Sequence, residues 1–182
     1  MTRLKHHYNT VIVHDLVENF EYSNVSSLPR LEKITLNCGL KYNNFNTKQI
    51  GLILAAFESL TGQRPTITRS VKDNARLKVR SGMISGVKVT LRKDKMFEFL
   101  EQFILTILPR IKYFEGFSLK SITSDGHFHV RINPLDCLLF ETEFEKFNNI
   151  GPIDIIVTTK NSTYEESLLL FSGFQIPLID KN

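Results

Sequence analysis

The side chains with the most distinctive chemistry occupy alternate positions in two short segments, residues 30–40 and 87–92. Alternate residues of a β-strand lie on the same face, so each segment predicts a strand with one apolar and one polar face. Ammonium, guanidinium, hydroxyl and amide groups hydrogen-bond to the phosphates, 2′-hydroxyls and base edges of RNA. If the two strands pair, the sequence predicts a shared RNA-binding face. Its six members are Lys33, Thr35, Asn37, Lys88, Thr90 and Arg92.

Basic charge is concentrated around the second of these segments. Residues 62–95 contain ten Lys or Arg residues and two Asp residues, a net charge of +8, whereas the whole chain carries +4, so the remaining residues sum to −4. Such a segment is typical of proteins that bind polyanions, of which nucleic acid is the commonest. One basic strand alone is equally consistent with a half-solvated surface strand. A second strand with the same pattern favours a binding face.

Two clusters raise the alternative of a metal-dependent enzyme. His127 and His129 share one face of a predicted strand near Asp125, but no third histidine or cysteine nearby completes a metal site. The acidic segment from Asp136 to Glu145 has the spacing of neither a calcium-binding loop nor a nuclease. The sequence shows no glycine-rich phosphate loop and no nucleophile paired with a base. We therefore expect no catalytic residue, no metal and no cofactor, and interpret the acidic segment as a protein-facing edge.

A generic binder of single-stranded RNA is a further alternative. Proteins of that kind stack bases on exposed aromatic side chains. The predicted face here carries Lys, Thr, Asn and Arg instead, which suit hydrogen bonding to a folded RNA.

The elements that position these residues predict an α+β domain. Apolar spacing predicts helices at residues 4–19, 47–61 (capped by Asn46 or Thr47), 94–108 (capped by Asp94) and 163–173, the last with a capping box of Ser162 and Glu165. Strands are predicted at residues 30–40, 66–69, 87–92, 127–132 and 153–157. This order indicates a two-layer sandwich, with a mainly antiparallel sheet, helices on one face and an open RNA-binding face.

The length and composition suit a single globular domain, residues 1–182, with a buried core. No apolar run reaches the length of a membrane span, so we expect no membrane contact. Cys38 and Cys137 lie far apart in apolar surroundings, which indicates two buried thiols in a reducing compartment. The N-terminus lacks the organisation of a secretory signal.

Several motifs, in the expected order and over nearly the whole chain, together resemble the family of large-subunit ribosomal protein L5, the bacterial-type protein that binds 5S rRNA. The densest is Leu28–Gly39, and Gly86–Arg92 is the second. The others are Thr61–Pro65, Ile67-Thr68, Lys78–Arg80, Pro109–Ile111, Phe114–Ser118 and Ser172–Phe174.

The resemblance implies a structural protein of the large ribosomal subunit that binds 5S rRNA in the central protuberance, beside large-subunit rRNA and other proteins of that region. The residues implied for rRNA binding are Lys33, Thr35, Asn37, Gln63, Arg64, Thr68, Lys88, Thr90 and Arg92. The loop at about residues 71–85 is implied to face P-site tRNA through Lys72, Arg76, Lys78 and Arg80. Segments at about residues 109–121 and 134–147 are implied to form an intersubunit bridge with a small-subunit head protein, through Arg110, Lys112, Tyr113, Glu141 and Glu143.

The chain departs from the family pattern in places that bear on these expectations. Ser70, Val71 and Asp73 dilute the basic run of the loop, which predicts a weaker tRNA contact. Glu115 stands where bacterial relatives tend to carry a basic residue. The tail, residues 167–174, is more similar to mitochondrial members, and the abundant Asn, Ile, Phe and Lys are typical of an AT-rich genome. We expect a mitochondrial ribosome in the matrix, with the protein made inside the organelle because a transit peptide is absent; bacterial cytoplasm and plastid stroma are the alternatives.

Overall fold

The computed structural model describes residues 2–40, 47–76, 79–111, 113–133 and 151–180. These residues form four helices. Helix α1 consists of three consecutive segments, Arg3–His7, the π-helical Tyr8–Ile12, and Val13–Asn19. Helix α2 is Thr47–Thr61, and helix α3 is Lys93–Gln102 continued by the π-helical segment Phe103–Ile107. Helix α4 is Tyr164–Gly173.

The same residues form seven strands: β1 (Arg30–Gly39), β2 (Thr66–Arg69), β3 (Ile84–Leu91), β4 (Phe117–Ser118), β5 (Phe128–Ile132), β6 (Ile153–Lys160) and β7 (Leu178–Ile179). Five of them form a mainly antiparallel sheet in the order β2-β3-β1-β6-β5. Strands β4 and β7 form a separate parallel pair. The predicted α+β class with a mainly antiparallel sheet is confirmed.

Alternating side chains explain why β1 and β3 form strands in this register. Burial of an apolar side chain of this size contributes about 1.5–3 kcal/mol. A slip by one residue would expose the whole apolar set and bury the polar one, so the register is strongly specified. The buried set, none of it more than 2% exposed, is Ile34, Leu36, Cys38, Val87, Val89 and Leu91.

The described residues group into two compact units, of which the first lies within residues 1–34, 92–130 and 156–182. A row of aromatic rings forms its core. Phe117 lies 6.3 Å from Phe103 and 5.2 Å from Phe128, and Phe128 lies 5.3 Å from Phe171, measured between ring centroids. Aromatic pairs at these separations contribute to stability beyond their buried area.

The second unit lies within residues 35–91 and 131–155. Helix α2 packs against β3 there and buries Ile53, Phe57 and Leu60, as its apolar spacing predicts. The same apolar spacing includes Leu54, which is half-buried. None of the helices in the described ranges is both long and apolar enough to cross a membrane.

Three local predictions are wrong. Asp94 does not cap α3; Arg92 occupies the N-cap position without a side-chain cap, and Asp94 instead accepts a hydrogen bond from Lys5 at 2.7 Å. The capping box of α4 lies one residue further on, where the Thr163 N–H donates to the Glu166 carboxylate at 2.7 Å. The apolar spacing that predicts the helix at residues 4–19 includes Val11, but this side chain is 42% exposed and does not face the core.

Candidate nucleic-acid interface

Six polar side chains of the second unit lie on the side of β1, β2 and β3 opposite the buried apolar residues. Strand β3 lies between β2 and β1, and Lys88 of β3 lies opposite Thr66 of β2. Lys88 is exposed, whereas Thr35, Asn37 and Thr90 are half-buried. These six residues, called the polar face below, are Thr35, Asn37, Thr66, Thr68, Lys88 and Thr90.

Thr66 belongs to the polar face, although it is absent from the residues predicted to bind RNA. The antiparallel register pairs Thr66 with Lys88 and Thr68 with Gly86, and directly opposed residues of such a pair lie on the same face. The exposed Thr66 hydroxyl is therefore a neighbour of the Lys88 ammonium group. The period-two spacing of Thr66 and Thr68 is the sequence signal that identifies it.

Gly86 allows β1 and β3 to approach closely in the middle of the polar face. A Cβ atom at this position would lie 2.6 Å from the carbonyl oxygen of Cys38 and 3.3 Å from the Thr68 hydroxyl. Since the first of these neighbours is backbone, it cannot move aside cheaply. Glycine is therefore required for the packing of these strands.

Gln63 is joined to the polar face by a hydrogen bond. Its side-chain Nε2 donates to the carbonyl oxygen of Thr90 at 3.1 Å. Just before it, α2 ends at Thr61 and is followed by Gly62, whose φ of +60° lies in the left-handed region that glycine adopts without strain. The Thr61 hydroxyl accepts a hydrogen bond from the Gln63 N–H at 3.3 Å. This turn fixes Gln63 beside Thr90, so two predicted rRNA-binding residues are brought together.

The predicted residues Lys33 and Arg92 belong to the first unit, and Lys33 is half-buried. Arg92 follows β3, and its Nη1 lies 3.6 Å from the carboxylate of Glu32, with 55% and 42% of the two side chains exposed. Exposed ion pairs contribute little to stability. Arg92 can therefore exchange Glu32 for a phosphate at low cost. Arg64, also predicted, is exposed and precedes β2.

Backbone hydrogen bonds extend the β2–β3 hairpin into the basic loop. The Ser70 N–H donates to the carbonyl oxygen of Met83 at 2.8 Å. Further out, Asn74 and Val79 exchange two backbone hydrogen bonds at 2.8 and 3.0 Å. The described part of the loop is therefore a narrow hairpin that carries its side chains away from the sheet.

The cations predicted to face tRNA are distributed along this hairpin. Asp73, which dilutes their charge, has a structural contact, because its Oδ1 accepts a hydrogen bond from the Ser81 N–H across the loop. The three cations that the structure describes, all exposed, are Lys72, Arg76 and Arg80. Lys78 lies outside the described residues.

The predicted bridge residues are only partly within the described ranges. Arg110 is exposed, and Tyr113 is 98% exposed with a left-handed φ of +57°. A positive φ is uncommon for a residue other than glycine. Lys112, Glu141 and Glu143 lie outside the described residues, as does the rest of the acidic segment.

His127 takes part in a polar cluster. Its Nδ1 lies 3.3 Å from the Thr159 hydroxyl, which donates to the carbonyl oxygen of Gly126 at 2.9 Å. His129, by contrast, is exposed on β5. Across the ranges that the structure describes, no group of three or more His, Cys, Asp or Glu side chains is placed to hold a metal ion. His127 therefore has a structural role, in which it positions Thr159 near the end of β6.

Cys38 lies beneath the polar face with its side chain fully buried. The thiol donates a weak hydrogen bond to the carbonyl oxygen of Gly151 at 3.5 Å. Burial, together with the nearby charge of Asp154, raises the pKa of this thiol to about 11. The thiol is therefore neutral at physiological pH, as expected for a structural cysteine. Cys137 lies outside the described residues.

Comparison with known proteins identifies the family of this chain. Residues 24–80 match the family model described as ribosomal protein L5, and residues 84–178 match the model that describes the C-terminus of the same ribosomal family. The large ribosomal subunit protein uL5m of Reclinomonas americana is 39% identical over 181 residues, 98% of both chains. The large ribosomal subunit protein uL5 of Symbiobacterium thermophilum is 37% identical over the full length of both. Proteins of this family are structural components of the ribosome and not enzymes, and this chain belongs to the ribosomal protein L5 family.

Proposed function

We propose that the polar face binds 5S rRNA in the central protuberance of the large ribosomal subunit. The observation that carries this proposal is the set of hydroxyl, amide and ammonium groups assembled on one side of β1, β2 and β3 above a fully apolar layer. Such groups match phosphates, 2′-hydroxyls and base edges. Gln63 extends the face through its bond to Thr90, and Lys33, Arg64 and Arg92 are the cations that would accompany it.

Hydrogen exchange of the full chain with and without 5S rRNA tests this assignment. Binding is expected to slow amide exchange in peptides covering residues 33–39, 63–68 and 86–92, because the RNA would cover those strands. Peptides from α4, Tyr164–Gly173, should exchange as in the free protein. Protection confined to α4, or equal protection by an unrelated RNA of the same length, would contradict the proposal and favour a generic RNA binder.

The hairpin between β2 and β3 is proposed to contact P-site tRNA. Its hydrogen-bonded stem presents exposed cations away from the sheet, where they would contact phosphates without disturbing the polar face. Replacing Lys72, Arg76 and Arg80 together by Ala is expected to weaken P-site tRNA binding to large subunits that contain the variant. Binding of 5S rRNA should remain near that of the unmodified chain. Loss of 5S rRNA binding instead would assign the loop to rRNA.

The segment around Arg110 and Tyr113 is proposed to take part in a bridge to a protein of the small-subunit head. The almost complete exposure of Tyr113 supports this role, because a tyrosine buries a large area when a partner covers it. Tyr113→Ala is expected to weaken subunit joining without changing the binding of 5S rRNA. If large subunits with Tyr113→Ala join small subunits as well as unmodified ones do, Tyr113 is not part of the bridge.

We propose that the protein works in a mitochondrial ribosome, with a bacterial ribosome as the alternative. The mitochondrial protein of Reclinomonas americana and the bacterial protein of Symbiobacterium thermophilum are similar to this chain over nearly its whole length. The AT-rich type of composition favours the organelle. Cosedimentation with ribosomes from purified mitochondria would support this location, and recovery only from ribosomes outside mitochondria would contradict it.

A further inference from the structure

A cleft of about 400 Å³ lies in the second unit between α2 and β2. Its volume is within the range of small-molecule sites, roughly 300–1,000 Å³. Strand β2 is the last strand of the sheet, so one side of it is open toward the cleft. The lining residues that matter here are Leu54, Ala55, Glu58, Arg64, Thr66 and Ile67.

The walls of the cleft are apolar, and its mouth is charged. Leu54 and Ala55 come from α2, and Ile67 comes from β2 with 38% of its surface exposed. Glu58 and Arg64 are both exposed. In the described part of the chain, no ion pair or side-chain hydrogen bond engages either charged group. A carboxylate with two free acceptor oxygens and a guanidinium group with free donors therefore flank an apolar slot.

The cleft is continuous with the polar face. Thr66 lines the cleft and is also a member of the polar face, opposite Lys88. Arg64 directly follows Gln63, whose side chain is bonded to Thr90. A ligand that lies across the polar face therefore reaches the cleft by passing around β2. This continuity favours a part of the bound RNA as the occupant.

We propose that the cleft binds an unstacked guanine base of the RNA that lies on the polar face, an inference that rests on the proposed function. The N1–H and N2–H groups of guanine would donate to the two oxygens of Glu58, and the O6 and N7 atoms would accept from Arg64. Leu54 and Ile67 would cover the faces of the base. Adenine, cytosine and uracil do not present this combination of paired donors beside paired acceptors.

Amide NMR of the full, ¹⁵N-labelled chain, titrated with GMP, AMP, CMP and UMP in turn, tests the inference. The four nucleotides share the phosphate and ribose, so any difference between them reports the base. GMP is expected to shift the amides of Ala55 and Ile67 and to bind about tenfold or more tightly than the other three. No shift at these amides, or equal affinity for all four, would overturn the inference. Shifts caused by a basic peptide but by none of the nucleotides would overturn it in favour of a protein partner.

Glu58→Gln is the decisive variant, because Gln keeps the shape but replaces one acceptor by a donor. Its GMP affinity is expected to fall about tenfold, whereas Glu98→Gln, at an exposed glutamate of α3, serves as the matched control and should bind GMP normally. Unchanged GMP binding by Glu58→Gln would overturn the assignment of this carboxylate.

Thr90→Val separates this inference from the proposed function. If Thr90→Val loses 5S rRNA binding while GMP fails to shift the cleft amides, the guanine site is overturned and the polar face stands. If GMP binds selectively in the cleft while the unmodified chain does not prefer 5S rRNA over a control RNA, the cleft stands as a guanine site and the proposed function fails.

Discussion

The side-chain amide of Gln63 donates a hydrogen bond to the main-chain carbonyl oxygen of Thr90, with 3.1 Å between Nε2 and the oxygen. The two residues are 27 positions apart, one in the turn after α2 and one near the end of β3. The bond ties the end of the helix to the strand that carries the polar face. Under the proposed function, Gln63 would therefore act on RNA binding in two ways, through its own side chain and by fixing the backbone of Thr90.

Gln63→Ala is expected to lower the free energy of unfolding by about 1 kcal/mol, because the hydrogen bond is partly buried and its acceptor would lose a partner. The affinity for 5S rRNA should fall as well. Urea denaturation followed by circular dichroism, and a filter-binding assay, measure the two effects. Ser59→Ala, at an exposed position of α2, is the control and should change neither quantity appreciably. A variant as stable and as tightly bound as the unmodified chain would show that the bond is incidental.

Glu32→Gln is expected to strengthen RNA binding roughly twofold to fivefold, the equivalent of an exposed ion pair of up to about 1 kcal/mol. The carboxylate of Glu32 lies 3.6 Å from Arg92 and would compete with an RNA phosphate for this guanidinium group. The affinity should also fall more steeply with salt, because about one more counterion would be released on binding. Measurement of affinity at several salt concentrations checks both, with Glu165→Gln at an exposed site of α4 as the control. Weaker binding by Glu32→Gln would mean that Glu32 itself contacts the RNA.

Asp73→Asn and Asp73→Ala are expected to separate the charge of the loop from its conformation. Asn keeps an oxygen that can accept the hydrogen bond from Ser81 N–H, so the hairpin should persist with one more unit of positive charge. Ala removes the acceptor, so the loop should open and be cleaved faster by trypsin at its Lys and Arg residues. We expect the Asp73→Asn variant to resist trypsin about as well as the unmodified chain, and both to resist it better than Asp73→Ala. Equal cleavage of all three would deny Asp73 a role in the conformation of the loop.

The thiol of Cys38 is expected to react only when the protein unfolds. Burial raises its pKa to about 11, compared with 9.0 for an ordinary thiol. The folded state therefore binds the proton more tightly than the unfolded state, and stability falls as pH rises from about 9 to about 11, by an amount on the order of 2–3 kcal/mol. Below pH 9 this contribution is constant.

Alkylation at pH 8 measures the accessibility of this thiol in a Cys137→Ser variant, in which Cys38 is the remaining cysteine. Slow labelling that accelerates in urea is the expected result. The pH dependence of unfolding is then compared with that of a Cys38→Ala, Cys137→Ser double variant, which should lack the additional loss above pH 9. Rapid labelling of the folded protein would contradict the buried, neutral thiol.

The strands were predictable from the sequence because apolar and polar residues that alternate one by one fit a half-buried strand and do not fit a helix. Lys88, Thr90 and the buried Val89 between them lie on the faces that this rule assigns. Thr66 was not among the predicted residues because a four-residue strand gives a short pattern. Its period-two spacing with Thr68 is a weak signal, and its register with Lys88 establishes that it belongs to the polar face.

Local signals failed where a distant or competing partner decides the outcome. Asp94 is a good capping residue by type, but Lys5, 89 positions away, takes its carboxylate. Two overlapping capping-box patterns, Ser162 with Glu165 and Thr163 with Glu166, are present in the sequence before α4. The second forms in the structure because the Ser162 hydroxyl donates to Thr159 at 2.6 Å. Spacing alone does not connect Lys5 to Asp94, and it does not decide which of the two overlapping capping boxes forms.

The most direct test of the central claim is the affinity of the purified chain for its own 5S rRNA and for a control RNA of equal length, measured across a salt series. Phosphate contacts weaken steeply with salt and do not distinguish sequences. The polar face predicts a preference for 5S rRNA that persists at physiological salt and that Thr90→Val reduces by about 1–3 kcal/mol. Equal, salt-sensitive binding of both RNAs, unchanged by Thr90→Val, would contradict it.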